Sequence, residues 1–170
     1  MNKLELKLCI LGNLGVGKTS IVNRYTKGVF SLSYKSTIGV NLVRKDINIE
    51  EFGEVGIQIW DLAGQQSFKM FHKKYLQGAD GAFIVYDVTD ILSFKKIDEW
   101  IEIFKSSGGK SPIHLIGNKI DMRGLISISE NEGKLYAEEK KIGFTTTSAK
   151  TGENIENAFL GLVRTILKKK

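Results

Sequence analysis

Gly12-Asn13-Leu14-Gly15-Val16-Gly17-Lys18-Thr19 is the stretch that decides the fold. It matches G-x-x-x-x-G-K-[ST] and stands between an apolar run at residues 6–11 and a helical pattern over 17–27, the strand-to-helix setting that this motif requires. Its glycines let successive backbone N–H groups converge on phosphate oxygens, and the following helix adds its positive N-terminus. Lys18 supplies a point charge for the β- and γ-phosphates, and the Thr19 hydroxyl is a ligand for Mg²⁺. The bland alternative is a Gly-rich turn that binds nothing. A phosphate loop alone leaves ATP against GTP, and kinase against ATPase or switch, undecided.

Outward from the loop, periodicity predicts strands over 4–11, 40–50, 54–61, 81–87, 112–118 and 143–147, with helices over 17–27, 68–75, 93–106, 130–140 and 155–167. Strands interleaved with helices make an α/β sheet. Ala82-Phe83-Ile84-Val85-Tyr86 shows no polar alternation, as a central parallel strand covered on both faces requires. Between the second and third strands only Glu50-Glu51-Phe52-Gly53-Glu54 intervenes, too short for a crossover helix, so these two should pair antiparallel. The expected fold is an α/β three-layer sandwich of the P-loop NTPase type: six strands, mostly parallel, one antiparallel edge strand, and helices on both faces.

The chain has 170 residues, 42% hydrophobic and 26% charged, which fits one globular domain over 1–170 with a sizeable core. Repeats, low-complexity segments and linkers are absent, and there is one proline. The single cysteine, Cys9, lies in the apolar strand run, which rules out a disulfide within the chain and suits a reducing, cytoplasmic setting. The start reads as strand and not as a signal peptide, and Asn2 in place of Gly excludes the usual myristoylation motif. Apolar runs fall far short of the ~20 residues a bilayer demands, so a soluble protein is expected. A net charge of +6 suits an anionic partner, whether nucleic acid, acidic lipid or nucleotide phosphate, or is a solvated lysine-rich surface. With no RNA-binding signature and no basic stripe interleaved with aromatics, nucleic acid is not expected as a partner.

Two later stretches choose the base. Asn118-Lys119-Ile120-Asp121 follows an apolar strand, at the carboxyl end where open α/β sheets bind ligands. A carboxylate at Asp121 accepts the N1–H and 2-amino hydrogens of guanine. Adenine offers neither donor, and a mispaired buried carboxylate can discriminate by ~10⁴-fold. The Lys119 stem covers a face of the base, and Asn118 ties this loop to its neighbours. Thr147-Ser148-Ala149-Lys150 follows the last strand and is placed to offer the Ala149 N–H to the guanine 6-oxo group. Each motif alone could be an ordinary loop; in order after a phosphate loop they point jointly to guanine.

With these residues the chain resembles the Ras superfamily of small GTPases over essentially its whole length, most closely the Rab branch. The likeness is carried by the phosphate loop, Ser36-Thr37-Ile38-Gly39-Val40, Ile59-Trp60-Asp61-Leu62-Ala63-Gly64-Gln65, Tyr86-Asp87-Val88-Thr89, Asn118 to Asp121, and Ser148-Ala149-Lys150, with Ser93-Phe94, Trp100 and Gly78-Ala79-Asp80 looking Rab-like. The resemblance implies a GTP/GDP switch with Mg²⁺. Asn13, Leu14, Gly15, Val16, Gly17, Lys18, Thr19 and Ser20 would line the phosphates, Phe30 would pack edge-on against guanine, and Tyr34 would close over the phosphates. Thr37 would contact metal and γ-phosphate in the GTP state only, Asp61 would hold the metal through water, and the Gly64 N–H would meet the γ-phosphate. Asn118, Lys119, Asp121, Ser148, Ala149 and Lys150 would hold the base. Gln65 would orient the attacking water, with Lys18, Thr37 and Gly64 completing the catalytic set. No arginine stands in the phosphate loop or ahead of Thr37 in the first switch, so intrinsic hydrolysis is expected at about 10⁻⁴ to 10⁻³ s⁻¹, accelerated by an activating protein. Effector, activating and exchange proteins at the switches, and a role in membrane traffic, follow from the same likeness.

The chain departs from that family in places. Leu14 stands where a glycine or other small residue is usual, close to the γ-phosphate, which points either to impaired hydrolysis and a largely GTP-locked binding module or to a side chain that only packs under the switches. Leu42 and Gln66 replace an aromatic and an acidic residue common in Rab proteins, while Trp60 and Tyr75 retain two hydrophobic positions that effectors use or simply fill space on the sheet. The lipidation cysteine of the family is absent from the C-terminal end, and Lys168-Lys169-Lys170 alone contributes too little for stable anchoring, so peripheral membrane attachment is expected only if a tail follows. A P-loop ATPase or nucleoside kinase is the remaining alternative, and would leave Asn118 to Asp121 without a role.

Overall fold

Strand β1 (Leu4–Gly12) is buried on both faces from Leu8 onward, because helices cover both sides of the sheet it belongs to. Leu8 and Ile10 point into one core with Ile21, Phe83, Phe159 and Val163, whereas Cys9 and Leu11 point into the other with Ile84, Trp100 and Phe104. That split is the period-2 alternation of a strand read out as two hydrophobic layers. Burying aromatics the size of Phe83, Phe104 and Phe159 stabilises the fold by about 1.5–3 kcal/mol each. The computed structural model describes residues 3–33, 37–64, 69–107 and 111–170, with the backbone alone at 69–72. Tyr34, Gln65 and Gln66 lie outside the described residues.

The six strands run in the order β2-β3-β1-β4-β5-β6, with β2 at Val40–Ile49, β3 at Gly53–Leu62, β4 at Gly81–Asp87, β5 at Ile113–Asn118 and β6 at Gly143–Thr147. All neighbours are parallel except β2 and β3, which pair antiparallel with Ile49 opposite Gly53. The turn between them is closed by the Phe52 N–H donating to the Ile49 carbonyl at 2.9 Å, as the short connection demanded. The fully buried β4 takes a central place, flanked by β1 and β5. This is the mixed α/β sheet of the Ras-like P-loop fold.

Helices α1 (Lys18–Lys27) and α6 (Ile155–Lys169) cover the first core, and α2 (Lys69–Leu76), α3 (Ile91–Lys95), α4 (Ile97–Ser106) and α5 (Glu130–Lys140) cover the other. The single helix expected over 93–106 is two. Asp90 caps the first, its carboxylate accepting from the Leu92 N–H at 3.0 Å, so α3 starts two residues early. It ends at Lys96, whose N–H bonds the Leu92 carbonyl at 3.2 Å before α4 begins. α5 opens on a capping box, Ser129 with Glu132, a device worth about 1 kcal/mol. Among the described residues no helix is long and apolar enough to cross a membrane. Because five strands are parallel, the segments after β1, β3, β4, β5 and β6 converge on one edge of the sheet, and antiparallel β2 begins at that same edge.

Candidate functional site

At that edge opens a cleft of about 870 Å³. The phosphate loop forms its floor. Gly17 sits at φ 99°, and a Cβ there would collide with the Asn118 side chain, so the left-handed turn and the close approach both require glycine. The Lys18 ammonium is folded back onto the loop, donating to the Gly12 carbonyl at 2.8 Å and the Asn13 carbonyl at 3.0 Å. Only 6% of this lysine is exposed. Burial pulls it down to about 8, against the opposing pull of the Asp61 charge. A buried ammonium compensated chiefly by carbonyls is a binding group for an anion that enters the cleft.

Three oxygen-bearing side chains meet beside it. The Thr19 hydroxyl donates to Asp61 Oδ2 at 2.5 Å, and Thr37 Oγ1 lies 2.6 Å from Thr19 Oγ1. Thr19 has one proton to give, so Thr37 is the donor in the second bond. Asp61 is fully buried, its Oδ1 has no hydrogen-bond partner among the described residues, and burial pushes its carboxyl above the ordinary range. An orphaned carboxylate oxygen with two hydroxyls suits a hard divalent cation such as Mg²⁺. Among the described residues no group of three or more His, Cys, Asp or Glu side chains could hold a metal ion. Thr37 is brought here by the start of β2, where the Ala63 N–H donates to the Gly39 carbonyl at 2.9 Å. Gly64 presses on the phosphate loop: a Cβ there would sit 2.5 Å from the Gly12 oxygen, the Asn13 carbonyl carbon and the Leu14 nitrogen.

The opposite wall is a closed hydrogen-bond network. Asn118 Nδ2 donates to the Val16 carbonyl at 3.0 Å, and its Oδ1 accepts from Thr147 Oγ1 at 3.0 Å. Lys119, held at φ 74°, donates to the Gly15 carbonyl at 2.7 Å and pairs with Asp87 Oδ2 at 2.8 Å. Asp121 Oδ1 accepts from the Ser148 hydroxyl at 2.7 Å, which orients the carboxylate into the cleft mouth.

The cleft lining includes Leu14, Gly15, Gly17, Lys18, Thr19, Ser20, Phe30, Thr37, Gly64, Asn118, Lys119, Asp121, Ala149 and Lys150. Asn13, Val16 and Ser148 are not on it. The Val16 side chain is buried in the core and Ser148 is fully buried behind Asp121, so Val16 offers only backbone and Ser148 acts through the carboxylate. The Ala149 N–H, expected to face the base, donates to Asn118 Oδ1 at 3.3 Å. Leu14 is 47% exposed and lines the cleft together with Thr37 and Gly64. Sequence reading missed Asp87, whose other oxygen accepts from the Thr89 N–H at 2.8 Å and hydroxyl at 2.6 Å. It also missed Arg24, which clamps the base loop through the Ala149 carbonyl at 2.8 Å and the Lys150 carbonyl at 2.5 Å. Asp87 stood within a quoted motif and could have been read as the partner of Lys119; Arg24 left no local signal.

The family model described as "Ras family" matches residues 7–168. The chain is 41% identical over 155 residues to the Ras-related protein Rab11E of Lotus japonicus, an overlap of 90% of this chain and 70% of that one. It is 38% identical over 154 residues to the Ras-related protein RABA1c of Arabidopsis thaliana, covering 90% and 71%. Against the Ras-related protein rab-11.1 of Caenorhabditis elegans it is 36% identical over 163 residues, covering 95% and 77%.

Proposed function

The chain belongs to the Ras family, in its Rab branch, and on that premise we propose that residues 1–170 form one GTP-binding domain that cycles between GTP and GDP with Mg²⁺ as cofactor and slow intrinsic hydrolysis. The observation that carries the reading is the meeting of Thr19, Thr37 and the orphaned Asp61 oxygen beside the buried Lys18 ammonium. Thr37 precedes β2 on the loop, whereas Thr19 opens α1, so a γ-phosphate and metal that engage both would hold the loop closed. Their loss on hydrolysis frees it.

In that reading Lys18 leaves the Gly12 and Asn13 carbonyls for the β- and γ-phosphates. Thr19 and Thr37 would hold the cation directly and Asp61 through water. Mg²⁺ bound there would neutralise charge on the phosphate oxygens. Gly64 offers its N–H to the γ-phosphate, Gln65 orients the attacking water, and Tyr34 covers the phosphates. Asp121, oriented by Ser148, accepts the two guanine donors while Phe30 and the Lys119 stem flank the base. The Ala149 N–H reaches the 6-oxo group by sharing its bond with Asn118.

Leu14, standing exposed in the cleft, favours a second, finer reading in which hydrolysis is impaired and the protein dwells in its GTP form. Effector, exchange and activating proteins would dock at the switches, in a role in membrane traffic, with attachment to a membrane dependent on a lipidated tail beyond Lys170. Competition of GTP and ATP for a fluorescent guanine nucleotide, with Mg²⁺ and with EDTA, tests the site. GTP is expected to outcompete ATP by ~10³-fold or more, with tighter binding in Mg²⁺. Comparable affinities for the two bases overturn the assignment.

A further inference from the structure

Three side chains from outside the phosphate loop hydrogen-bond its Asn13–Val16 segment among the described residues. Asn118 holds the Val16 carbonyl at 3.0 Å and Lys119 holds the Gly15 carbonyl at 2.7 Å. Both belong to the base-reading loop and grip the guanine half. The third comes from the other layer of the molecule: the Trp100 indole Nε1–H donates to Asn13 Oδ1 at 2.7 Å. Trp100 lies on α4, is 1% exposed, and is fixed in the core that contains Cys9, Leu11 and Ile84.

Asn13 is a junction. Its carbonyl accepts the Lys18 ammonium at 3.0 Å, and its peptide is the surface on which Gly64 rests. When Lys18 turns to a bound polyphosphate that bond is given up, and the remaining backbone bond, from the Val16 N–H at 3.5 Å, is long. Among the described residues the indole is then the chief side-chain hold on the Asn13–Leu14 part of the loop, and a side chain locked in a core is a rigid one. We propose that Trp100 is a positioning residue for the γ-phosphate: through Asn13 it fixes the Gly12–Leu14 backbone under Gly64, and so favours GTP over GDP and sets the hydrolysis rate. The inference rests on the nucleotide-site reading above and assigns to α4 a part in it.

The test is a double-mutant cycle with Trp100→Phe and Asn13→Ala. Phe keeps an aromatic ring in the core and removes the N–H; Ala removes the acceptor from a half-buried position without touching the core. Affinities for GDP and a non-hydrolysable GTP analogue, single-turnover hydrolysis and Tm are measured for each. Trp100→Phe is expected to lower the GTP-to-GDP affinity ratio about fivefold to tenfold, with GDP affinity within about twofold of wild type, and to slow hydrolysis several-fold. Asn13→Ala should lower the ratio equally, and the double variant no further than either single one. Asn13→Asp, which keeps an acceptor for the indole, should lower the GTP-to-GDP affinity ratio less than Asn13→Ala does. A fall in both affinities together with Tm, a ratio unmoved in either variant, or additive effects in the double variant overturns the inference. If the wild-type chain binds neither nucleotide, the site reading falls and takes this with it; if wild type binds both and only the cycle fails, the inference alone falls.

Discussion

The two halves of the cleft differ in how their polar groups are satisfied. On the base side, Asn118, Lys119, Asp121 and Ser148 are tied to one another, to the phosphate loop and to Asp87, and the loop behind them is clamped by Arg24. On the γ-phosphate side the Asp61 Oδ1 has no partner among the described residues, and Lys18 is turned inward to carbonyls. A wall whose hydrogen bonds are already made needs little reorganisation to receive a ligand, which favours selectivity. A wall whose groups are completed only by the ligand responds to that ligand's loss, and that is what a switch needs. In the proposed function selectivity and switching are thus divided between the carboxyl ends of β5 and β6 and those of β1 and β3.

The sharpest way to break this division is Asp121→Ala. It removes the acceptor pair for guanine while leaving Lys18 and the oxygen cluster intact, so GTP affinity should fall by ~10³-fold or more with little loss of ATP affinity, measured by competition. A smaller effect is expected from acid. His114 lies on β5, four residues before Asn118, with a ring nitrogen 2.8 Å from Thr145 Oγ1, and burial holds its imidazole down at about 4. Below the ordinary value of 6.5 the unfolded chain takes a proton that the folded chain refuses. The stability from this group is therefore present in full above pH 6.5 and is lost as pH falls toward 4, about 2 kcal/mol of it between pH 7 and 5. Urea unfolding of wild type and His114→Gln over that range should show the extra loss in wild type alone. On the other wall, Leu14→Gly should raise single-turnover hydrolysis several-fold, because an exposed branched side chain leaves the space over the γ-phosphate. Rates within about twofold of each other would leave Leu14 without influence on turnover.

Much of this architecture was legible in the linear chain. The phosphate loop, the antiparallel hairpin and the apolar β4 each depend on a few consecutive residues whose spacing has one physical solution, and strand ends were read to within one or two residues. The early start of α3 was not legible, because Asp90 acts as a cap only once the backbone has turned at the end of β4. Val16 and Ala149 mark a similar limit at the site: motif position does not say that the Val16 side chain is buried in the core or that the Ala149 N–H also bonds Asn118.

By itself the sequence determined the local patterns: a strand, a Gly-rich turn and a helix start make the setting of a phosphate site, and a carboxylate follows β5. Only the tertiary structure decided what holds those groups in place. Arg24 reaches Ala149 across 125 residues and Trp100 reaches Asn13 across 87, bonds with no periodicity to announce them. They exist because the strand order brings distant segments to one edge of the sheet, where buried donors and acceptors must find partners among whatever the fold has placed beside them.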